Sequence, residues 1–100
     1  MADILDASGH KMATIGEDGA VHDLAGEKIG YVSGQREIFN RAASKVGHVE
    51  ITGYVYNFQD EHIGTVHGDG RVYDQQNHLI GSVKGDHIEG GGAALLLLVR

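Results

Sequence analysis

One hundred residues are enough for one domain of ordinary size and too few for two. Eight Lys and Arg against fourteen Asp and Glu give a formal net charge of -6, the wrong sign for a nucleic-acid groove or for electrostatic attachment to an anionic membrane. The chain has no cysteine, no secretory signal and no run of ~20 apolar residues, so we expect a cytoplasmic protein without disulfides, cofactor, nucleic-acid partner or transmembrane span.

From Ile4 onward the chain divides into five copies of a seventeen-residue repeat, which ends at residue 88 and contains no insertion. The first position of the repeat is always β-branched, as is the twelfth. We assign both sets to the core of the domain. The first set is Ile4, Val21, Ile38, Val55 and Val72, and the second is Ile15, Val32, Val49, Val66 and Val83.

Each repeat contains two turn signals separated by short β-rich runs. An Asp or Asn at the third position, as in Asp6 followed by Gly9, is typical of a type I turn closed by a left-handed residue. A second turn such as Gly68 to Gly70 ends the repeat. Two strands per copy predict a mainly β fold, a ten-stranded antiparallel closed barrel. A β-solenoid with one coil per repeat and parallel strands is the alternative.

The motif Ile-Gly-x-Val interrupts this regularity. Ile29 and Val32 lie three residues apart and would face opposite sides of a regular strand. A β-bulge at the intervening Gly30 would restore a common face, and we keep this bulge as a hypothesis that leaves the strand register open.

After the repeats, residues 89–92 are predicted to form a Gly-rich connector and residues 93–100 a helix without a polar face. A ten-stranded barrel has a radius of roughly 9 to 10 Å, which admits a helix if small residues line the wall. The tenth repeat position supplies such residues: Ala13, Gly30, Gly47, Gly64 and Gly81. We therefore expect the helix to plug the barrel, against a membrane-touching, self-associating or disordered tail. Its expected core residues are Leu95, Leu96, Leu97 and Leu98.

The tandem hairpin repeats with Ile-Gly-x-Val and Gly-Asp-Gly-x-Val-Tyr-Asp signatures, followed by an apolar C-terminal helix, resemble the β-flower families. These are small bacterial proteins whose hairpins surround an axial helix, and the resemblance covers essentially the whole chain. It implies internal symmetry and a central helix, with a more distant similarity to the tubby-type barrel. It implies no activity, because the function of the β-flower families is largely unknown.

Seven His residues suggest a metal site, although no HExxH motif is present. His10 and His78 share the seventh repeat position and become neighbours if the barrel closes, while Glu27 and Glu61 occupy that position in two other copies. A rim with these four side chains would bind a metal or small ligand, whereas the simpler interpretation is solvated hairpin tips.

An outward belt of aromatic residues is predicted from the second repeat position, which contains Phe39, Tyr56 and Tyr73. The belt is either a binding surface or a set of cross-strand contacts. No serine lies in a nucleophile motif, so we predict no catalytic residue and no enzyme activity. We expect a non-catalytic binding or scaffold module, membrane-proximal or oligomeric, with self-association or a protein or lipid as partner. A ligand-binding or metal-binding rim is the alternative.

Overall fold

The computed structural model describes residues 1–99 and contains one closed barrel of ten antiparallel strands. The strands are β1 (Ala2–Asp6), β2 (Lys11–Ile15), β3 (Ala20–Asp23), β4 (Lys28–Val32), β5 (Glu37–Asn40), β6 (Lys45–Val49), β7 (Tyr54–Asn57), β8 (His62–Val66), β9 (Arg71–Asp74) and β10 (Leu79–Lys84). Each strand pairs with its neighbours in sequence, and β1 pairs with β10 to close the ring. The predicted barrel is confirmed, and the antiparallel pairing excludes the solenoid.

One end of the barrel, which we call the lower end, consists of the five loops that begin at the Asp or Asn of each repeat. In the first loop, the Gly9 amide donates to the Asp6 carbonyl at 3.0 Å, and Gly9 has φ 88°. Asp6 Oδ1 accepts from the amides of Ser8 and His10, both at 2.9 Å. Equivalent side-chain bonds form in the other four loops, which begin at Asp23, Asn40, Asn57 and Asp74. The carboxylate or amide oxygen thus fixes each hairpin tip from within.

The opposite end, which we call the upper end, carries the loops that connect one repeat to the next. In the first of them Gly19 has φ 85°, and its carbonyl accepts from the amide of Val32 at 2.8 Å. A Cβ at Gly19 would overlap the Val32 carbonyl oxygen, so both the conformation and the close approach favour glycine here. This bond links each repeat to the next beyond the strand pairing.

A bulge is present in every hairpin, at the ninth repeat residue, which precedes Ala13 in the first copy and a glycine in the other four. On β8, for example, Val55 pairs with Gly64 and Tyr56 pairs with His62, so Ile63 has no partner. Ile63 is half-buried against the core, while Gly64 and Val66 face the barrel axis. The bulge therefore keeps the apolar ninth residue in contact with the core and leaves the glycine free to face the axis.

A helix runs through the barrel from the upper end. It consists of α1 (Ile88–Ala94) followed directly by a π-helical turn (Leu95–Val99), and we call residues 88–99 the axial helix. The expected connector at residues 89–92 is wrong, because Gly90 to Gly92 lie inside α1. A Cβ at Gly91 would lie 2.9 Å from Val83 Cγ1, and one at Gly92 would overlap the Val66 side chain. Because glycine has no side chain, this turn of α1 is narrow enough to pass the valines of the upper end. Arg100, the last residue of the predicted helix, lies outside the described residues.

Consecutive leucines of the π-helical turn contact the glycines of consecutive repeats. The pairs are Leu95 with Gly81, Leu96 with Gly64, Leu97 with Gly47 and Leu98 with Gly30. In each pair, a Cβ on the glycine would lie 2.7 Å from a leucine methyl carbon. The predicted wall of small residues is therefore confirmed, and each glycine is a seat for one leucine.

The π-helical geometry matches the symmetry of the barrel. Five hairpins divide the ring into steps of about 72°, whereas an α-helix turns by ~100° per residue. The wider π-helix, with its i→i+5 hydrogen bonds, turns by roughly 80°. Its smaller step keeps successive leucines opposite successive hairpins.

The core consists of aliphatic side chains only. All fourteen residues predicted for it are buried except Val32, Leu97 and Leu98, which are half-buried. Val32 borders a cleft at the upper end, and the two leucines lie in the last turn of the axial helix. Alanines complete the core: Ala2, Ala13, Ala20, Ala93 and Ala94. Among residues 1–99, no helix combines the length and hydrophobicity needed to cross a bilayer.

Candidate functional site

The four side chains predicted to form a rim site lie on separate loops of the lower end. His10 Nδ1 is 3.6 Å from Asp6 Oδ2, and Glu61 Oε1 accepts from Asn57 Nδ2 at 2.8 Å, so each contacts the first residue of its own loop. Glu27 and His78 occupy the same place in their loops. Within residues 1–99, no three His, Asp or Glu side chains are grouped closely enough to hold a metal ion. The described residues therefore show no metal centre at the rim, and a rim site for a small ligand stays a prediction.

A cleft of about 380 Å³ opens at the upper end, beside the start of α1. Glu17, Asp18 and Glu89 line it together with Arg36 and His87, so it combines both signs of charge. Ser33, which also lines the cleft, uses its Oγ to accept from the amides at positions 35 and 37 of its own loop. The sequence offered no signal for this cleft, because its residues come from three separate segments.

All six aromatic residues of the chain lie outside the core. Five of them, together with three histidines, form ring contacts on the outside of strands β4 to β9 and of the loop after β8. We call this set the aromatic wall: Tyr31, Phe39, His48, Tyr54, Tyr56, His62, His67 and Tyr73. The sixth aromatic residue, Phe58, is exposed in a loop of the lower end.

Ring contacts in the wall join neighbouring strands. Tyr31 stacks on Phe39 with ring centroids 4.8 Å apart. Tyr56 lies between two imidazoles, 5.0 Å from His48 and 5.7 Å from His62. These residues are direct partners across strands, since Tyr31 pairs with Phe39 and Tyr56 pairs with both histidines. The wall thus consists of three groups of ring contacts, formed mainly between neighbouring strands.

The second repeat position faces outward as predicted, and Phe39, Tyr56 and Tyr73 are half-buried in the wall. The sequence analysis missed Tyr31 and His48, which occupy the eleventh position. That position lies between the inward-facing tenth and twelfth residues, so alternation along the strand could have identified it as outward-facing.

Two ion pairs lie at the border of the wall. Lys45 Nζ lies 3.0 Å from Glu37 Oε2, and Arg71 Nε lies 3.0 Å from Asp69 Oδ2. The backbone amide of Arg71 lowers the pKa of Asp69 from its ordinary value, and the charge of the Arg71 guanidinium lowers it further. These two pairs compensate charge at the border of the wall, whereas Lys28, which contacts the Tyr31 ring, has no ion-pair partner within residues 1–99.

Comparison with known proteins identifies the family of this barrel. Residues 2–94 match the family described as 4-fold beta flower protein, a range that includes all five hairpins and all of α1. The family is described as four-fold, whereas this barrel has five hairpins around its axis. No curated protein and no solved structure shows significant similarity to the chain. On the family match and on its closed barrel of hairpins, the chain belongs to the 4-fold beta flower protein family.

Proposed function

We propose that the protein is a non-catalytic binding module that self-associates, with the aromatic walls of two copies in contact. The observation that carries the proposal is the exclusion of every aromatic residue from the core. Aromatic side chains bury ~150 to 250 Å² each and usually dominate protein cores. Here that apolar area is available on the outer surface instead.

The composition of the wall agrees with that of protein interfaces. Interface centres are enriched in Tyr and depleted of Lys, Asp and Glu. The side chain of Tyr54 is 47% exposed, and His62 and His67 are exposed beside it. Burial of these rings against a second copy would remove apolar area from water without leaving a buried charge unpaired.

The geometry of the barrel favours a dimer. A closed ring has no free strand edge, so two copies must associate through side chains rather than by adding strands. Strands β10, β1, β2 and β3, on the other side of the barrel, contain no aromatic residue. Contact through the exposed rings around Tyr54 gives a closed two-fold dimer, in which the same residues face one another.

Net charge also limits which faces can meet. Two copies with a formal charge of -6 each repel one another, and the repulsion is strongest where carboxylates are unpaired. The wall is bordered by the pairs Lys45 with Glu37 and Arg71 with Asp69. Contact at the wall therefore brings together a face on which these two carboxylates are paired.

Sedimentation equilibrium over a wide range of protein concentration tests the proposal. We expect a monomer–dimer equilibrium that Tyr54→Ser weakens by about tenfold, the effect of losing roughly 1.4 kcal/mol at an interface. Ile51→Ser is the matched control, because Ile51 is apolar and 74% exposed but lies in an upper-end loop. A chain that remains monomeric at every concentration would contradict the proposal, as would equal weakening by both variants.

A further inference from the structure

Positive charge is concentrated in one part of this acidic chain. Residues 28–45 contain four Lys and Arg and a single Glu, which gives a net charge of +3. The remaining residues contain four Lys and Arg against thirteen Asp and Glu, a net charge of -9. A local field of opposite sign on an acidic protein attracts anions to one place.

Two of these cations line a cleft of about 270 Å³ on the outside of the barrel, where β4 and β5 approach the lower end. Its lining residues are Lys28, Tyr31, Asn40, Arg41 and Ala43, and none of them is acidic. Lys28 Nζ lies 5.1 Å from the centroid of the Tyr31 ring, a cation–π contact that restricts the ammonium group. Within the part of the chain that the structure describes, neither Lys28 nor Arg41 has an ion-pair partner.

The amide of Asn40 adds a hydrogen-bond donor to this cleft. Its Oδ1 accepts from the backbone amides of Ala42 and Ser44, at 2.9 and 3.1 Å. In the next repeat, the equivalent Asn57 donates its Nδ2 to Glu61 Oε1. The residue corresponding to Glu61 in the Asn40 loop is Ser44, and within residues 1–99 Asn40 Nδ2 has no acceptor. The cleft thus combines three hydrogen-bond donors: an ammonium, a guanidinium and an amide NH₂. Among its lining side chains within residues 1–99, only the Tyr31 hydroxyl can accept a hydrogen bond without breaking the loop.

The fivefold repeat provides an internal comparison. The same four repeat positions border a site between every pair of consecutive copies, and elsewhere they have at most one Lys or Arg. The four other sets are Lys11, Thr14, Asp23 and Leu24; Lys45, His48, Asn57 and Phe58; His62, Thr65, Asp74 and Gln75; and Leu79, Ser82, Asp6 and Ala7. Two fixed cations without a carboxylate occur only in the set that contains Lys28 and Arg41, so the backbone symmetry does not account for them.

We infer that the cleft between Lys28 and Arg41 binds a phosphate monoester. Near pH 7 such a group carries a charge of about -1.5 to -2 and has three acceptor oxygens, which matches two cations and an amide donor. A carboxylate would compensate only one of the two charges. Lys28 and Arg41 line the same cleft without ion-pair partners within residues 1–99, and a dianion between them compensates both charges. This inference is independent of the proposed self-association.

A phosphate monoester reaches this cleft either as a small soluble molecule or as the headgroup of a lipid, and the chemistry of recognition is the same. The two sources are distinguished by titrating the full chain with glycerol 3-phosphate and, separately, with neutral vesicles containing or lacking phosphatidic acid. Acetate is the control for a singly charged oxyanion. Binding is followed by NMR shifts of the Asn40 side-chain NH₂ and the Arg41 Nε–H.

We expect glycerol 3-phosphate to shift these two signals, and Lys28→Ala and Arg41→Ala each to weaken binding by about tenfold or more, as for loss of one charged hydrogen bond. Lys84→Ala is the matched control, because it also removes one exposed cation without an ion pair, from β10. Shifts seen only with phosphatidic acid vesicles, and lost in the same two variants, would support the site and assign the lipid headgroup as its source.

Three results would overturn the inference. The first is an absence of shifts with either source of phosphate. The second is equal weakening by Lys84→Ala and Arg41→Ala, which would indicate attraction by general charge. The third is binding of acetate as tight as that of glycerol 3-phosphate. Circular dichroism of each variant checks that the barrel remains folded, which these exposed positions should allow.

Discussion

Leu96→Ala tests the packing of the axial helix against its glycine seats. Leu96 is 8% exposed, and its methyl groups face Gly64 across the barrel interior. Removing three buried carbons loses about 2.4 kcal/mol of transfer free energy at ~0.8 kcal/mol each. A residual cavity of roughly 60 Å³ adds about 1.5 kcal/mol if the wall does not collapse. Because the hydrogen-bonded ring is closed, we expect little collapse of the wall around the cavity. Leu96→Ala should therefore lower the free energy of unfolding by about 3 to 4 kcal/mol.

Urea denaturation followed by circular dichroism measures this loss. Leu98→Ala should lose about half as much, because Leu98 is only half-buried. Leu24→Ala is the control, since Leu24 is 68% exposed in a lower-end loop and its truncation should change the free energy of unfolding by less than ~0.5 kcal/mol. The reasoning would be refuted if Leu96→Ala lost less than ~1 kcal/mol or matched Leu24→Ala.

Further predictions concern the axial helix, the lower-end loops and the stability of the protein at low pH. Deletion of the residues after Gly92 should give an insoluble or molten chain by near-UV circular dichroism, because the barrel loses its core; a cooperative melt close to that of the full chain would contradict this. Asn40→Ala should lower the free energy of unfolding by about 1 to 2 kcal/mol because two loop amides lose their acceptor, whereas Asn40→Asp should change it little. The folded-state pKa of Asp69 is lowered by the Arg71 amide, so its stabilisation is present above the unfolded pKa and is lost as pH falls through the folded value. The melting temperature should therefore fall below about pH 4, and Asp69→Asn should reduce that fall.

The barrel could be predicted because its signal is repeated five times. The β-branched first and twelfth positions recur without insertion, so the buried face of each strand is determined by the same two residues in each copy, as at Val55 and Val66. The Asp6 and Asn40 loops were equally clear, because a side-chain oxygen at the start of a type I turn has one structural role.

The start of the axial helix could not be predicted from local propensity. Three consecutive glycines disfavour a helix by about 1 kcal/mol each relative to Ala, which indicated a connector. In the folded protein a Cβ at Gly91 or Gly92 would press on Val83 or Val66. The cost of that clash is larger than the cost of placing glycine in a helix. That contact exists only after the barrel has closed, so no window of sequence contains it.

The candidate sites depend on closure in the same way. Outward-facing positions such as Tyr56 followed from alternation along a strand, but its contacts with His48 and His62 require the register that the bulge produces. The rim stays a prediction, because a shared repeat position such as that of His10 and His78 does not by itself imply contact between hairpin tips. The cationic cleft was missed because Lys28 and Arg41 occupy different repeat positions, and only strand pairing brings them to one place.

The central claim is that successive leucines of the axial helix are seated on the glycines of successive repeats. Methyl-to-Hα nuclear Overhauser effects on a leucine-labelled sample measure this directly. The structure predicts that Leu96 methyls are close to Gly64 Hα, Leu97 methyls to Gly47 Hα and Leu98 methyls to Gly30 Hα, one repeat per residue. Leucine methyls without contacts to these glycines, and broadened by a soluble paramagnetic agent, would place the segment outside the barrel and contradict the account.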